Sequence, residues 1–334
     1  MRSLIATLLL LPTLALAQAP QQELPKLSMC VFDPLGANGS LFNTMKDYRN
    51  AAFGWGADVE PKAYTDEKIA VDDFKAGQCD AMLVTGSRSR PFNKFAATIE
   101  AIGAINDENM LRTLLATISS PKAGKYMREG QYEVAGIMPA GPIYLFTRDK
   151  SIDTIEELSG KRIATIDYDQ PSIHLVNHVG ASMVPSNSAN FSGKFNNGSV
   201  DIAYAPAVAY KPLELYKGLQ DNGGILHFVL AYMDFQIIIR ADKFPKGFGQ
   251  SSRELVTGYF DKVNEFVKKE TKDIDPKYWI ELSDDVTQQY NNILRDVRIK
   301  LRDQGVYDGK MLKLMRKLRC KTNPAAAECA EKLE

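Results

Sequence analysis

The chain has 334 residues, 45% of them hydrophobic, and carries 41 basic against 41 acidic side chains, a formal net charge of zero. That length suits two α/β units, and the balanced charge argues against nucleic acid as a partner. Past the first 17 residues no stretch is as long and apolar as a bilayer crossing of about 20 residues requires.

Residues 1–17 read as a signal peptide cleaved after Ala17: Arg2 is the basic end, residues 4–16 the apolar stretch, and Ala15-Leu16-Ala17 the small-residue pattern. No Cys follows the cleavage position, so lipidation is not indicated. An exported chain meets an oxidising compartment, which pairs cysteines. Four cysteines allow three connectivities, and we expect Cys30 with Cys79 and Cys320 with Cys329. Cys30 lies in the first strand and Cys79 just before another strand of the same lobe, whereas Cys320 and Cys329 bracket a Pro-containing turn. A metal or redox site would need closer CxxC-like spacing.

Residues 27–33 (LSMCVFD) form an apolar strand, followed by a turn and a helical stretch through Tyr48, the opening of a βαβ unit. Residues 58–64 supply a second strand. Residues 66–76 read as an amphipathic helix with Ile69, Ala70 and Phe74 inward, stopped at Gly77. Residues 81–84 make the next strand, ending in Thr85-Gly86-Ser87-Arg88-Ser89-Arg90. Strand-end N–H groups and two guanidiniums there suit an anion, although the spacing is not that of a Walker loop.

Residues 97–105 suit a core strand or short helix, 109–118 a helix, and 122–128 a second one. Residues 132–146 are long and apolar but interrupted by Gly136, Pro139, Gly141 and Pro142, as a passage between lobes would be. Then Asp153-Thr154-Ile155-Glu156 starts a helical turn as a capping box, Gly160 stops it, and 162–166 is a short buried strand. The strand ends in Asp167-Tyr168-Asp169-Gln170-Pro171, at the carboxyl end of a sheet strand where open α/β sheets place ligands. Residues 235–240 look like a returning strand. From 251 the pattern is helical, with Leu255, Tyr259, Val263 and Phe266 on one face and Gly249-Gln250-Ser251-Ser252-Arg253 as an N-cap. Residues 285–303 repeat the pattern with Val286, Tyr290, Ile293, Val297 and Leu301. Residues 310–321 form a basic helix with Met311, Leu314, Met315 and Leu318 inward and a solvated basic face.

Catalytic chemistry finds little support. His174 and His178 share a helical face at i, i+4 but lack the Glu of HExxH, so they read as half-buried imidazoles. GxSxG is absent, and Asp167 with Asp169 suits a cap or a ligand contact better than an acid/base pair. We expect no enzyme activity, no metal and no cofactor.

The order of pieces from 141 to 210, with EELSGK, a helix ending in Val179-Gly180-Ala181 and FNNGSVD, resembles the second lobe of TRAP dicarboxylate-binding periplasmic proteins. The phrases CDAMLVTGSRSRPFNKF, YEVAGIMPAGPIYLF, FPKGFGQSSRELVTGYFD and YDGKMLKLMRKLRCK resemble a narrower family of solute-binding proteins, some labelled components of RND-type efflux systems. The resemblance implies an α/β fold of periplasmic binding protein type II-like form. It has two lobes, mixed sheets flanked by helices, hinge crossings and a helical C-terminal segment. Lobe 1 comprises residues 25–142 and 236–334, and lobe 2 residues 143–235.

By the same resemblance the protein is a periplasmic monomer that captures a small polar metabolite, an organic acid, an amine or a related compound, and presents it to membrane transporter subunits. The candidate contacts are Phe32, Asp33, Thr85, Gly86 and Arg88 from lobe 1, with Arg90 as a second cation. Lobe 2 offers Asp167, Tyr168, Asp169, Asn197 and Ala205, and the crossings offer Tyr144, Tyr232 and Gln236. Where the dicarboxylate-binding relatives carry a clamp arginine this chain has Ala164, and the strand after GSVD runs Tyr204-Ala205-Pro206 instead of ending in acidic and amide residues. Losing a bidentate ion pair changes ligand class. An accessory or scaffold protein of an efflux or envelope system, and a periplasmic hydrolase, are the alternatives.

Overall fold

The structure, a computed structural model, describes residues 23–334; the expected signal peptide lies outside the described residues. In chain order the strands are β1 (Lys26–Phe32), β2 (Asp58–Tyr64), β3 (Ala81–Thr85), β4 (Arg128–Glu129), β5 (Tyr132–Thr147), β6 (Arg162–Ile166), β7 (Ser182–Ser186), β8 (Ile202–Pro206), β9 (Gly224–Leu226), β10 (Ala231–Arg240) and β11 (Trp279–Ile280). Before the second lobe come α1 (Ser40–Gly54), α2 (Glu67–Lys75), α3 (Gly86–Ser89), α4 (Lys94–Ala97) and α5 (Glu108–Ile118). Then follow α6 (Ile155–Leu158), α7 (Gln170–His178), α8 (Phe191–Asn196) and α9 (Tyr216–Leu219). The chain ends with α10 (Phe248–Gly258), α11 (Phe260–Lys272), α12 (Asp284–Asp303), α13 (Gly309–Thr322) and α14 (Ala327–Glu331).

One mixed sheet runs through the molecule in the order β2-β1-β3-β10-β5-β8-β6-β7. β1 pairs in parallel with β2 and β3, and β6 in parallel with β7 and β8, so each end of the sheet is a βαβ lobe. All five residues of β3 are buried, as an apolar strand paired on both edges requires. Between the lobes lie the antiparallel β5 and β10, whose pairing extends from Arg240 opposite Tyr132 to Ala231 opposite Ile143. Both lobes therefore hang on the same pair of strands. The register shifts between Met233 and Asp234, where β5 carries Ala140 as an extra residue, a bulge at the crossing. Gly141, at φ +101°, is needed beside it because a Cβ there would lie 2.6 Å from Cγ1 of Val267 on α11.

Two helices brace this crossing. α11 packs along β5, and α12 touches α6 and α7 of one lobe while Leu294 and Arg298 close on Gly103 of the other. One core, including Phe74, Leu83, Leu114, Ile238 and Leu301, fills the first lobe and runs on into the second through Leu158, Ile163 and Val176, and a separate one around Phe146, Phe195, Leu215 and Ile274 lies in the second. Both expected disulfides are present, Cys30–Cys79 and Cys320–Cys329, with Cα atoms 5.8 and 5.6 Å apart.

Several local expectations are corrected. Of the two alternatives for residues 97–105 the helical one is nearer, a 3-10 turn at Thr98–Glu100 followed by loop, and Ile69, expected inward, faces solvent. The helix expected at 122–128 is a 3-10 helix, Pro121–Tyr126. Thr154 is the cap of α6, its box closed by Glu157, because the helix begins one residue later than Asp153 suggested. Gly247 caps α10, and residues 249–253 lie inside it. The apolar face from 251 belongs to two helices that break at Tyr259, and Phe266 is exposed. The basic face of α13 is partly structural, since Arg316 and Arg319 are buried. Among the described residues no helix is long and apolar enough to cross a membrane.

Candidate functional site

The carboxyl ends of β1, β3, β6 and β8 meet between the lobes around a cavity of about 720 Å3. Parallel strands point their ends the same way within each lobe, and the crossing strands turn those two sets of ends toward each other. Phe32, Asp33, Thr85, Arg90, Tyr168, Asp169 and Ala205 line the cavity, together with Glu67 and Glu100. Elsewhere the walls are mostly aliphatic and aromatic, with Ile102, Met138, Ile163, Val176, Val208 and Phe235 among them, and Asp47, Lys262 and Ser172 add polar groups.

The polar end is held together across the lobes. Glu67, the first residue of α2, points into the sheet with no exposed surface, and its Oε1 accepts from the Thr85 N–H and hydroxyl at 2.7 Å each. Its Oε2 accepts from the hydroxyl of Tyr168, on the other lobe, at 2.7 Å. The Arg88 guanidinium lies 3.1 Å from the Tyr168 ring centroid, and its Nε is 3.8 Å from Glu67 Oε2. Arg90 reaches Asp169 Oδ1 at 3.3 Å, a second ion pair between lobes, while Asp169 also caps α7 through the Ser172 N–H. Burial, and then the neighbouring Glu67 carboxylate, push the Tyr168 hydroxyl well above its ordinary pKa and keep it a donor.

Beneath this layer lie two carboxyl groups that the sequence reading missed. Glu100 Oε1 accepts from the Asp234 N–H at 2.9 Å, and a Cβ on Gly86 would be 2.7 Å from Glu100 Cδ and 2.8 Å from Asp234 Oδ1. Gly86 thus makes room for an acid pair. Burial raises both pKa values, Asp234 to about 7, and Glu100 is raised further by the Asp234 charge. The only sequence signal for Asp234 is a charge inside the apolar run AYMDFQIII; for Glu67 it is an acid on the inward face of an amphipathic helix.

Other sequence candidates lie outside the cavity wall. Arg88 is withdrawn behind it by Tyr168 and Glu67, and Gln236 accepts from Ser89 Oγ at 2.6 Å within the sheet. Tyr144 faces the second core, edge-on to Trp279, and Tyr232 pairs with Pro142 at the crossing, its side chain buried. Asp167 is exposed, because the strand's last side chain before the turn points outward. Asn197 is also exposed, its Oδ1 accepting from Ser199 N–H and Oγ in a turn. Asp33 lines the cavity, but its oxygens accept from the Leu35 and Phe42 N–H groups, which makes it a loop cap. His174 is half-buried and His178 exposed, and among the described residues no three His, Cys, Asp or Glu side chains converge as a metal site.

Two lobes on shared strands, with a large cavity at facing strand ends, define a solute-binding protein of the periplasmic type. The chain belongs to the family of solute-binding proteins AdeT 1/2, whose model matches residues 51–334. It is 42% identical over 300 residues to the probable solute-binding protein AdeT1 of Acinetobacter baumannii, covering 90% of this chain and 99% of that one. The probable solute-binding protein AdeT2 of the same organism is 28% identical over 228 residues, covering 68% and 96%. In fold the chain is similar to a TRAP periplasmic solute-binding protein from Desulfovibrio salexigens with bound orotic acid (TM-score 0.72, 13% identity, 89% and 99% covered). It is likewise similar to one from Sulfitobacter with bound β-D-galacturonate (TM-score 0.71, 12% identity, 87% and 99% covered).

Proposed function

We propose that this solute-binding protein works in the periplasm as a non-enzymatic monomer. It closes by hinge motion on β5 and β10 over one small organic molecule and presents the closed form to membrane transporter subunits. Our division into lobes stays at residues 25–142 with 236–334, and 143–235. The observation that carries the reading is the cavity of about 720 Å3 between facing strand ends, bridged by Tyr168 to Glu67 and Arg90 to Asp169. Contacts that join the lobes directly over a cavity have little use in a rigid scaffold, and they are what a closing clamp needs. The ligand contacts we assign are Thr85, Arg90, Tyr168, Asp169, Phe32 and Ala205, with Glu100 added.

A thermal-shift screen of the mature protein against organic acids, amines, amino acids and sugars tests this, since a ligand selective for the folded state raises Tm. A saturable shift with one class, lost in Asp169→Ala, is the expected result. A folded protein that answers to nothing in a broad panel would favour the scaffold reading.

A further inference from the structure

We propose that the cleft takes an uncharged, predominantly apolar ligand, held by hydrocarbon contact along its walls, with hydrogen bonds as its only polar contacts. This deepens the solute-binding reading above and rests on it. The first argument is that the protein already matches the charges around the cavity. Glu67 is occupied by the Thr85 N–H and hydroxyl, the Tyr168 hydroxyl and Arg88, and Asp169 by Arg90 and the Ser172 N–H. Asp33 accepts from the Leu35 and Phe42 N–H groups. Burial holds Glu100 toward its neutral form, so it brings no fixed charge to the wall. Nε of Arg88, Nε of Arg90 and both Asp234 carboxyl oxygens have no hydrogen-bond partner, but each of these atoms is buried, out of a ligand's reach. Lys262 and Asp47 also line the cavity; they are opposite in sign, and both are exposed to water. An ion of either sign entering this space gives up its hydration and meets only groups already engaged or hydrated, whereas a neutral molecule bears no such cost.

The second argument is the wall itself. Ile163 and Val176 line it from one lobe, Phe32 and Ile102 from the other, and Met138 and Phe235 from the crossing strands, so both lobes and the floor between them offer hydrocarbon. Ala164 on β6, with Ala205 and Pro206 on β8, adds side-chain carbons that can pair with no ion. The volume of about 720 Å3 lies within the range of about 300 to 1,000 Å3 that holds drug-sized molecules. Binding is then driven by taking two apolar surfaces out of water, a gain that grows with the hydrocarbon buried.

The test uses the mature protein and calorimetric titration with 1-butanol, 1-hexanol and 1-octanol, and with octanoate and octylamine as ions of matched length. 1-Octanol is expected to bind at least tenfold tighter than either ion. Affinity is expected to rise about three- to fourfold per methylene along the alcohols, the gain of burying each CH2. Raising the salt from about 50 to about 500 mM should change the 1-octanol affinity less than twofold, because no ion pair with the ligand is there to screen. Val208→Asn and Ile293→Asn each put an amide at a half-buried position of the wall and should weaken 1-octanol about fivefold, with thermal unfolding as the check on fold. Either ion binding as tightly as 1-octanol, or an alcohol series with no gain per methylene, overturns the neutral apolar class and leaves solute binding standing. So does 1-octanol bound unchanged by both folded variants, which would place it outside the cavity. Silence to the alcohols, when a hydrophilic ligand from the broader screen does bind, overturns it too; silence to everything removes the solute-binding reading with it.

Discussion

The hydroxyl of Tyr168 donates a 2.7 Å hydrogen bond to Oε2 of Glu67, from one lobe to a carboxylate of the other that has no exposed surface. Opening the cleft must break this bond and strip Arg88 of the ring it covers. The contact therefore belongs to the closed state alone. A hydrogen bond to a charged group contributes about 1.5 to 3 kcal/mol. Tyr168→Phe keeps the ring under Arg88 and removes only the hydroxyl, so it should move the open–closed balance toward open by roughly 10- to 100-fold. Small-angle scattering of the ligand-free variant should give a larger radius of gyration, and ligand affinity should fall. Unchanged scattering and affinity would show that the bond does not hold the lobes.

The acid pair predicts a dependence on pH. Asp234 has a folded pKa raised from 3.8 to about 7 by burial, and Glu100 is raised as well, so between these limits the folded chain binds more protons than the unfolded one. The Asp234 contribution to stability then falls as pH rises from about 4 to about 7, and the raised Glu100 adds a loss of the same sign as pH rises. Asp234→Asn, which keeps the size and lacks the charge, should gain on the wild type across that window, by an amount on the order of a few kcal/mol at neutral pH. Urea unfolding at pH 5 and pH 7.5 measures it. An equal difference between the two proteins at both values would remove the linkage.

Much of this architecture is legible in the sequence because it rests on local patterns. The buried run Ala81–Thr85, the interrupted Tyr132–Thr147 and the cysteine positions each announce their element without reference to the rest. The site is harder to read because it is made by juxtaposition. Strand-end residues could be named, but not which of them the other lobe would engage. Arg88 reads as an anion contact until Tyr168 covers it, and Asn197 and Asp167 read as cleft residues although their side chains point to solvent. Glu67, Glu100 and Asp234 come from three separate segments, and no spacing in the chain links them.

The two disulfides should differ in their contribution. Cys30–Cys79 closes 49 residues and Cys320–Cys329 closes 9. If each acts by restricting the unfolded chain, the longer loop contributes roughly 4 kcal/mol and the shorter about 2.5 kcal/mol. Paired Cys→Ser variants should therefore rank in that order by denaturant midpoint. The reverse order would mean that the C-terminal bridge acts through native contacts instead.

Those native contacts are unusual enough to predict separately. Arg298, Arg316 and Arg319 are 3%, 7% and 4% exposed, and all three bind the residue at position 334. Arg298 Nε reaches Glu334 Oε1 at 2.5 Å, Arg319 Nη2 reaches Oε2 at 2.6 Å, and Arg316 Nε reaches the Glu334 carbonyl oxygen at 2.9 Å. Arg298 also donates to the Ile102 carbonyl and Arg319 to the Ala104 carbonyl, so the Glu334 carboxylate sits against the charges that fix the loop beside the cleft. Glu334→Ala leaves the buried Arg298 without its acidic partner, while Arg319 keeps Glu328, and an uncompensated buried charge costs about 3 to 5 kcal/mol. In a chain of this size that lowers Tm by on the order of 10 °C. Because Ile102 lines the cavity, ligand affinity should fall with it. Pairing the change with Arg298→Met should restore part of the lost stability, since removing both members of a buried ion pair is far milder than removing one. A double variant as unstable as the sum of its single changes would show that Glu334 stabilises this corner by packing, with its charge irrelevant.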